Sequence, residues 1–438
     1  MTASSFRSAP AAWRYPLLLT LIAAFVACST PDPASAQDGN RAPGGAANSQ
    51  QSVPGTAAGA PVETAPPNVP EFEPAFLGQT RAPAVQTETE LAVETIAEGL
   101  VEPWAIAFLP DGRMLVTEKP GRLRIVSTDG ALSAPIEGIP DVDARRQGGL
   151  LDVEPAPTYA ADSVVYVSYS EPREGGNGLA VARGRLVESE DTAPRLDRVE
   201  VVFRMMPTLE STLHSGGRLV WAEDGHLFVT LGERSVLEGR HQAQDLGSHF
   251  GKIVRVRADG AVPPDNPFVD TEGARPEIWS SGHRNVLAAA FDADGQLWEV
   301  EMGPQGGDEL NLVRPGLDYG WPTIGYGEEY SGQRIHRRTQ AEGMEQPVYY
   351  WDPVISPSGM TFYSGRLVPE WAGNAFIGGL SSRALVRVVI DGERVVGEER
   401  LLTDLGERIR EVVEGPDGAL YLATDDRNGR ILRVAPRD

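Results

Sequence analysis

From about Leu91 onward the chain alternates apolar and polar positions with a period of two, in runs broken by Asp-Gly turns. "WAIAFLPDGRMLVTEKPGRLRIV" turns at Asp111-Gly112, and "RLVWAEDGHLFVTLGE" turns at Asp224-Gly225. "LAAAFDADGQLWEVEMG" and "EVVEGPDGALYLATDDRNGRILRV" repeat the pattern around Asp294-Gly295 and Asp417-Gly418. A period of two sends successive side chains to opposite faces of a strand, and Gly accepts the positive φ of a tight turn. Each run therefore predicts a β-hairpin. Degenerate copies lie at "SVVYVSYSE" and "NAFIGGLSSRALVRVVIDG". Long helical periodicity is hardly visible anywhere.

Four clear and two weaker units over about 350 residues leave roughly fifty to sixty residues for each, the size of a four-stranded blade. The pattern predicts an all-β, six-bladed β-propeller of four-stranded antiparallel blades over residues 89–438. A pair of β-sandwiches is the structural rival, but it would not open each unit with the same turn. In a propeller, function gathers where loops converge at one end of the central channel.

The N-terminal region reads differently. Arg7 and Arg14 precede an apolar run from Leu17 to Ala27, too short to span a bilayer, so residues 1–27 resemble a secretory signal. "FVAC" resembles a bacterial lipobox, in which Cys28 would carry lipid and become the first mature residue. Cleavage after "ASA", Ala34 to Ala36, is the competing reading and would release a soluble protein. Both predict export. The first predicts a periplasmic protein tied to a membrane only through Cys28. Residues 28–88 are rich in Ala, Pro, Gly, Ser and Gln, with few large apolar side chains to offset ordering entropy, and predict a disordered tether.

Composition narrows the chemistry. Lys and Arg total 39 against 62 Asp and Glu, a net charge of -23 that repels nucleic acid and favours cations and neutral ligands. Cys28 is the only cysteine, so no disulfide, cysteine metal cluster or Cys-x-x-Cys-His haem attachment exists. Gly-x-Gly-x-x-Gly, P-loop, His-Glu-x-x-His and Gly-x-Ser-x-Gly signatures are absent from the sequence.

The chemistry-bearing loops are few. "EMGPQGGDELN", Glu301 to Asn311, sets bare backbone beside Asp308 and Glu309. Carbonyl oxygens and carboxylates are the ligands a hard cation such as calcium selects, although a solvated glycine loop is the simpler alternative. "TLHSGGRL" presents His214, "RRQGGLLDV" presents Gln147, and "SSGHRNVLAAAF" presents His283, Arg284 and Asn285. "GERIREVVEGPDG" places Arg408 and Arg410 two residues apart, hence on one strand face.

The ordered series "RQGGLLDV", "HSGGRL", "FVTLGE", "GKIVRV", "GHRN", "GPQGGDELN", "DYGWP", "SPSGMTFY", "FIGGL" and "RIREVVEGPDG" resembles the soluble quinoprotein glucose dehydrogenase and aldose sugar dehydrogenase family. The likeness runs from Glu94 to Val434. It implies a six-bladed propeller that binds pyrroloquinoline quinone (PQQ) and calcium and oxidises the C1 hydroxyl of aldoses to lactones, passing electrons to an acceptor the sequence does not name. On this resemblance His214 is the general base, Glu233 orients it, and Arg284 stabilises the oxyanion of the reduced cofactor. Gln147 and Asn285 contact the cofactor, Arg408 and Arg410 fix its carboxylates, and Trp351 forms an aromatic wall. Carbonyls of Gly303 and Pro304 hold a calcium that grips the quinone, Glu309 and Tyr319 hold a second, and Asp308 adds charge. Two positions depart from the family: Glu233 replaces an Asp, and Ser381 stands where a Lys reaches the quinone. A calcium-dependent lactonase and a non-catalytic glycan- or protein-binding propeller are the alternatives. The "RIR" pair argues against the lactonase, which has no cofactor carboxylates to hold.

Overall fold

The protein is described by a computed structural model covering residues 59–189 and 191–437. The expectations for the secretory signal, the lipobox at Cys28 and the tether up to residue 58 lie outside the described residues.

Six antiparallel sheets form the body, five of four strands and one of three. Each contributes one inner strand around a central axis: Pro103–Phe108, Leu150–Pro155, Gly216–Trp221, Val286–Phe291, Pro357–Phe362 and Ile409–Glu414, numbered here as blades one to six. Neighbouring inner strands touch in sequence order, and the sixth returns to the first. The six-bladed propeller expected from the repeats is thus the observed architecture. Blade one has three strands. Its fourth is replaced by residues 132–136, where Leu132 bridges to Val126 and Ser133 and Ile136 donate to carbonyls of Ile125 and Leu123.

The ring is closed by pairing the two ends of the domain. Leu91–Leu100 forms the outer strand of blade six, antiparallel to Gly429–Pro436, with partners running from Leu91↔Pro436 to Leu100↔Gly429. The Asp-Gly turns join the first strand of a blade to the second, at the end away from the loops that precede the inner strands. Their glycines, Gly112, Gly225, Gly295 and Gly418, have φ of 86°, 81°, 75° and 85°, as tight hairpins require.

Strands sandwiched between blades are buried on both faces. Leu297–Glu301 in blade four is buried at every position, yet it reads "LWEVE". Two carboxylates in such a strand cost free energy unless something compensates them. The channel below the loops is filled by Arg218, whose Nη1 donates to Asp152 at 3.0 Å and Glu411 at 2.6 Å, joining blades two, three and six. Its guanidinium stacks over Trp104 at 4.6 Å.

Residues 59–88 correct the tether expectation, because they lie packed on the propeller. Asn68 and Val69 donate backbone N–H groups to the Asp352 carboxylate at 2.8 and 3.1 Å. Buried Arg81 donates to the carbonyls of Glu63, Ala65 and Asp352. Ala84 bridges to Glu398, and Trp371 donates its indole N–H to Thr87. This segment is held by hydrogen bonds to backbone and carboxylate, so the scarcity of large apolar residues gave no sign of it.

Candidate active site

At the end of the axis where the inner strands begin lies a cavity of about 390 Å³. Two kinds of loop build most of it, those leading into inner strands and those joining the second and third strands of a blade, and Tyr330 reaches it from the long connection between the third and fourth strands of blade four. The first kind contributes Gln147, Ser215, Gly216, Asn285, Ser356 and Arg408; the second contributes Lys119, Met302 and Asp425. Four basic side chains (Lys119, Arg146, Arg408, Arg410) face it against two acidic ones (Glu102, Asp425). In a chain of net charge -23 this is a local reversal of sign.

On blade three, His214 is buried beside the cavity and its following residues, Ser215 and Gly216, form part of the wall. The loop is tightly built. His214 has φ 46°, and a Cβ on Gly232 would meet the His214 carbonyl at 2.2 Å, so only glycine fits there. Gln147 Oε1 accepts the His214 backbone N–H at 2.8 Å, and buried Arg234 donates to the His214 carbonyl and to Ser215. His214 Nδ1 lies 2.6 Å from Glu233 Oε1. Burial first, then the charge of Arg284, push the imidazole down to about 4; the Glu233 hydrogen bond opposes them. At neutral pH the ring is uncharged, with Nδ1–H donating to Glu233 and the Nε2 lone pair left to accept a proton.

Blade four supplies the carbonyl side. Arg284 Nη1 donates to the carbonyls of Met302 at 2.6 Å and Gly303 at 2.7 Å, and its guanidinium lies 5.2 Å from the Trp321 ring centroid. A Cβ at Gly303 would meet the Gly307 carbonyl at 2.3 Å, which explains the glycines of "GPQGG". Asp308 shapes this turn, accepting from the backbone N–H groups of Gly303 at 2.8 Å and Ser356 at 2.7 Å. Burial pushes Asp308 up to about 7 and drives Glu309 well above the ordinary carboxylate range, the charge of Glu301 adding to the effect on Glu309. Gly303, Pro304, Glu309 and Tyr319 line an adjoining crevice that shares Met302 with the main cavity.

On blade six, Arg408 and Arg410 both turn to Asp425, at 2.7 and 2.8 Å. Burial works to raise the Asp425 pKa, but the two guanidinium groups outweigh it and hold the carboxyl below its usual range.

A family model described as "Glucose / Sorbosone dehydrogenase" matches residues 100–433. The chain belongs to this family. It is 44% identical over 351 residues to the aldose sugar dehydrogenase YliI of Escherichia coli K12, covering 79% of this chain and 93% of that protein. A solved glucose dehydrogenase superposes with a TM-score of 0.76 at 49% identity, covering 79% of this chain and all of the other. The PQQ-bound form of aldose sugar dehydrogenase from Streptomyces coelicolor superposes with a TM-score of 0.65 at 28% identity, covering 80% of this chain and 100% of that one.

Within this glucose/sorbosone dehydrogenase fold, Gln147, Asn285, Arg408 and Arg410 meet in one cavity; the His214–Glu233 pair is buried behind its lining residues Ser215 and Gly216, and Arg284 lines the adjoining crevice. Trp351 is a correction. It sits in the outer strand Tyr349–Trp351, is 2% exposed, packs in the core against Tyr349 and donates to Glu398, so it forms no cavity wall. The aromatic residues that line the cavity are Trp104 and Tyr330. The Tyr319 hydroxyl is occupied, donating to Leu312 O and accepting from Arg314 N. Ser381 points its hydroxyl at the Val354 carbonyl and does not line the cavity. The basic amine that does is Lys119 of blade one, which donates to the Arg146 carbonyl at 2.7 Å. Lys119 was detectable in principle, since "EKPG" joins the second and third strands of its blade, as "GPQGGD" does in blade four.

Proposed function

We propose that the protein is a PQQ- and calcium-dependent dehydrogenase that oxidises the C1 hydroxyl of aldose sugars to lactones. The carrying observation is a net-positive cavity, in a strongly acidic protein, with a buried histidine next to its lining residue Ser215 whose Nδ1 is held by a carboxylate. The multiply charged anionic cofactor of the Streptomyces coelicolor relative suits that positive wall. Arg408, Arg410 and Lys119 would hold its carboxylates, and Gln147 and Asn285 its polar edge. The Gly303 carbonyl already accepts from a guanidinium, so the carbonyl turn at Gly303 and Pro304 presents itself to positive charge, as a calcium ligand must.

When bound, the quinone supplies the two-electron acceptor for the hydride leaving C1. His214 Nε2 takes the proton of the C1 hydroxyl. Glu233 keeps the imidazole in the tautomer that leaves Nε2 free and stabilises the imidazolium that forms, while Arg284 brings positive charge to developing negative charge. Tyr330, 74% exposed at the mouth, offers an aromatic face to the apolar side of a sugar ring. The same reading makes the enzyme an exported protein, lipid-anchored through Cys28; Cys28→Ser should then move it from the membrane to the soluble fraction.

The test is dye-linked turnover by purified protein over a panel of aldoses. Activity should require both added PQQ and added calcium. Activity with neither, or hydrolysis of lactones by the quinone-free protein, would contradict the reading.

A further inference from the structure

Beneath the carbonyl side of the cavity, three donors from two neighbouring segments converge. His283 lies in the loop ahead of Val286–Phe291, and Glu299 and Glu301 are alternate residues on one face of Leu297–Glu301. All three side chains are buried, and one donor atom from each lies within 4.8 Å of the others. His283 Nδ1 stands 3.5 Å from Glu299 Oε1 and 4.0 Å from Glu301 Oε1. Those separations do not make good hydrogen bonds. The 3.5 Å separation matches the edge of a coordination polyhedron, because two donors about 2.1 Å from one ion at a tetrahedral angle stand about 3.4 Å apart; the 4.0 Å separation is wider than that edge.

Each donor is held from behind. His283 Nε2 lies 2.8 Å from Ser280 Oγ, and its ring stacks on Tyr319 with centroids 4.8 Å apart. With the Ser280 hydroxyl accepting from Nε2–H, the Nδ1 lone pair faces the two carboxylates. Glu301 Oε2 accepts from the backbone N–H groups of Arg284 and Asn285, and Glu299 Oε1 accepts from Asn311 Nδ2. Such outer hydrogen bonds are what fix metal ligands in orientation. Among the described residues, His283 Nδ1 and Glu299 Oε2 are buried with no hydrogen-bond partner. Nor, among them, does a Lys or Arg side-chain nitrogen lie within 4 Å of the Glu299 or Glu301 carboxylates. Two buried carboxylates and an unpartnered imidazole nitrogen lack a cation in common.

We propose that His283, Glu299 and Glu301 form a buried binding site for a divalent transition-metal ion of the zinc type. An imidazole nitrogen among few donors selects against calcium, which takes six to eight oxygens. The site uses none of the carbonyls of Gly303 and Pro304 and not the Glu309 carboxylate. Because Glu301 also grips the backbone of Arg284 and Asn285, the ion would fix the loop that carries those two residues, a structural role independent of the quinone.

The test uses the full-length protein, stripped with a chelator and then dialysed against zinc in excess calcium. Metal content is measured in wild type and Glu299→Gln. Wild type should hold one more equivalent of zinc than the variant, with equal calcium, and zinc should raise the melting temperature of wild type alone. If protons hold the cluster instead, Glu299→Gln will leave zinc content unchanged and raise stability, and the proposal fails. Should the variant not fold, cobalt titration of wild type decides. Intense visible bands of four-coordinate cobalt at one equivalent support the site, and their absence overturns it.

Discussion

Blades four and six are built on the same repeat, yet blade four buries carboxylates beside the cavity while blade six lines it with guanidinium groups. On blade four, Glu299, Glu301, Asp308 and Glu309 are buried, and among the described residues none has a Lys or Arg side-chain nitrogen within 4 Å. Burial drives Glu299 and Glu301 up to about 8, Glu299's charge adding to the shift of Glu301. On blade six, Arg408 and Arg410 share one carboxylate, Asp425, which stays below its usual range. One side waits for positive charge, and the other offers donors to negative charge. The strands share a topology but not their side chains: Glu299 and Glu301 lie on the second strand of blade four, and Arg410 lies on the inner strand of blade six.

The largest expected effect lies at neither charged side but at the histidine between them. His214→Ala should lower kcat by about 10²–10⁴-fold, the usual contribution of a positioned base, while leaving quinone affinity nearly unchanged. Dye-linked kinetics and quinone titration separate the two. Near-normal kcat at saturating quinone would assign the proton to another residue.

Breaking blade six comes next. Arg410→Ala removes a charged donor worth about 1.5–3 kcal/mol, so quinone affinity should fall about 10- to 100-fold. Calcium-dependent thermal stability, assigned to blade four in the proposed function, should stay as it was. A joint loss of both would mean that the two sides do not act separately.

A smaller effect sharpens the comparison. Lys119→Met should weaken quinone binding up to about tenfold, the loss of one flexible point charge. Ser381→Lys should leave it unchanged, because Ser381 faces the Val354 carbonyl outside the cavity. Tighter binding by Ser381→Lys would show that this loop does reach the cofactor.

The mildest change is with pH. In the proposed mechanism His214 acts in its neutral form, and burial beside Arg284 lowers it from the ordinary 6.5 to about 4. Acidification from pH 7 to 5 should therefore leave the base intact, and kcat/KM should decline only as pH approaches 4. A decline centred near 6.5 would place His214 in a solvated setting.

Much of this was legible in the sequence, for identifiable reasons. The Asp-Gly turns announced the blades, because a tight hairpin is a local event that Gly permits and period-two patterning reports. His214, Arg284, Asn285, Gln147 and Arg408 lie on loops leading into inner strands, and Arg410 lies at the start of one, where motif and topology agree. Trp351 misled because an aromatic residue reads alike in a wall and in a core, and only strand order tells them apart. Residues 59–88 escaped notice because hydrogen bonds from Arg81 and to Asp352 leave no hydrophobic pattern. Lys119 was missed because motif search rewards contiguous strings, whereas its link to the cavity is topological.

The most direct measurement of the central claim is an anaerobic titration, without dye, of protein loaded with calcium and stoichiometric PQQ. Adding an aldose should reduce the bound quinone, seen in its absorbance, with one lactone formed for each quinone. An unchanged spectrum with quinone demonstrably bound, across the aldose panel, would contradict the account.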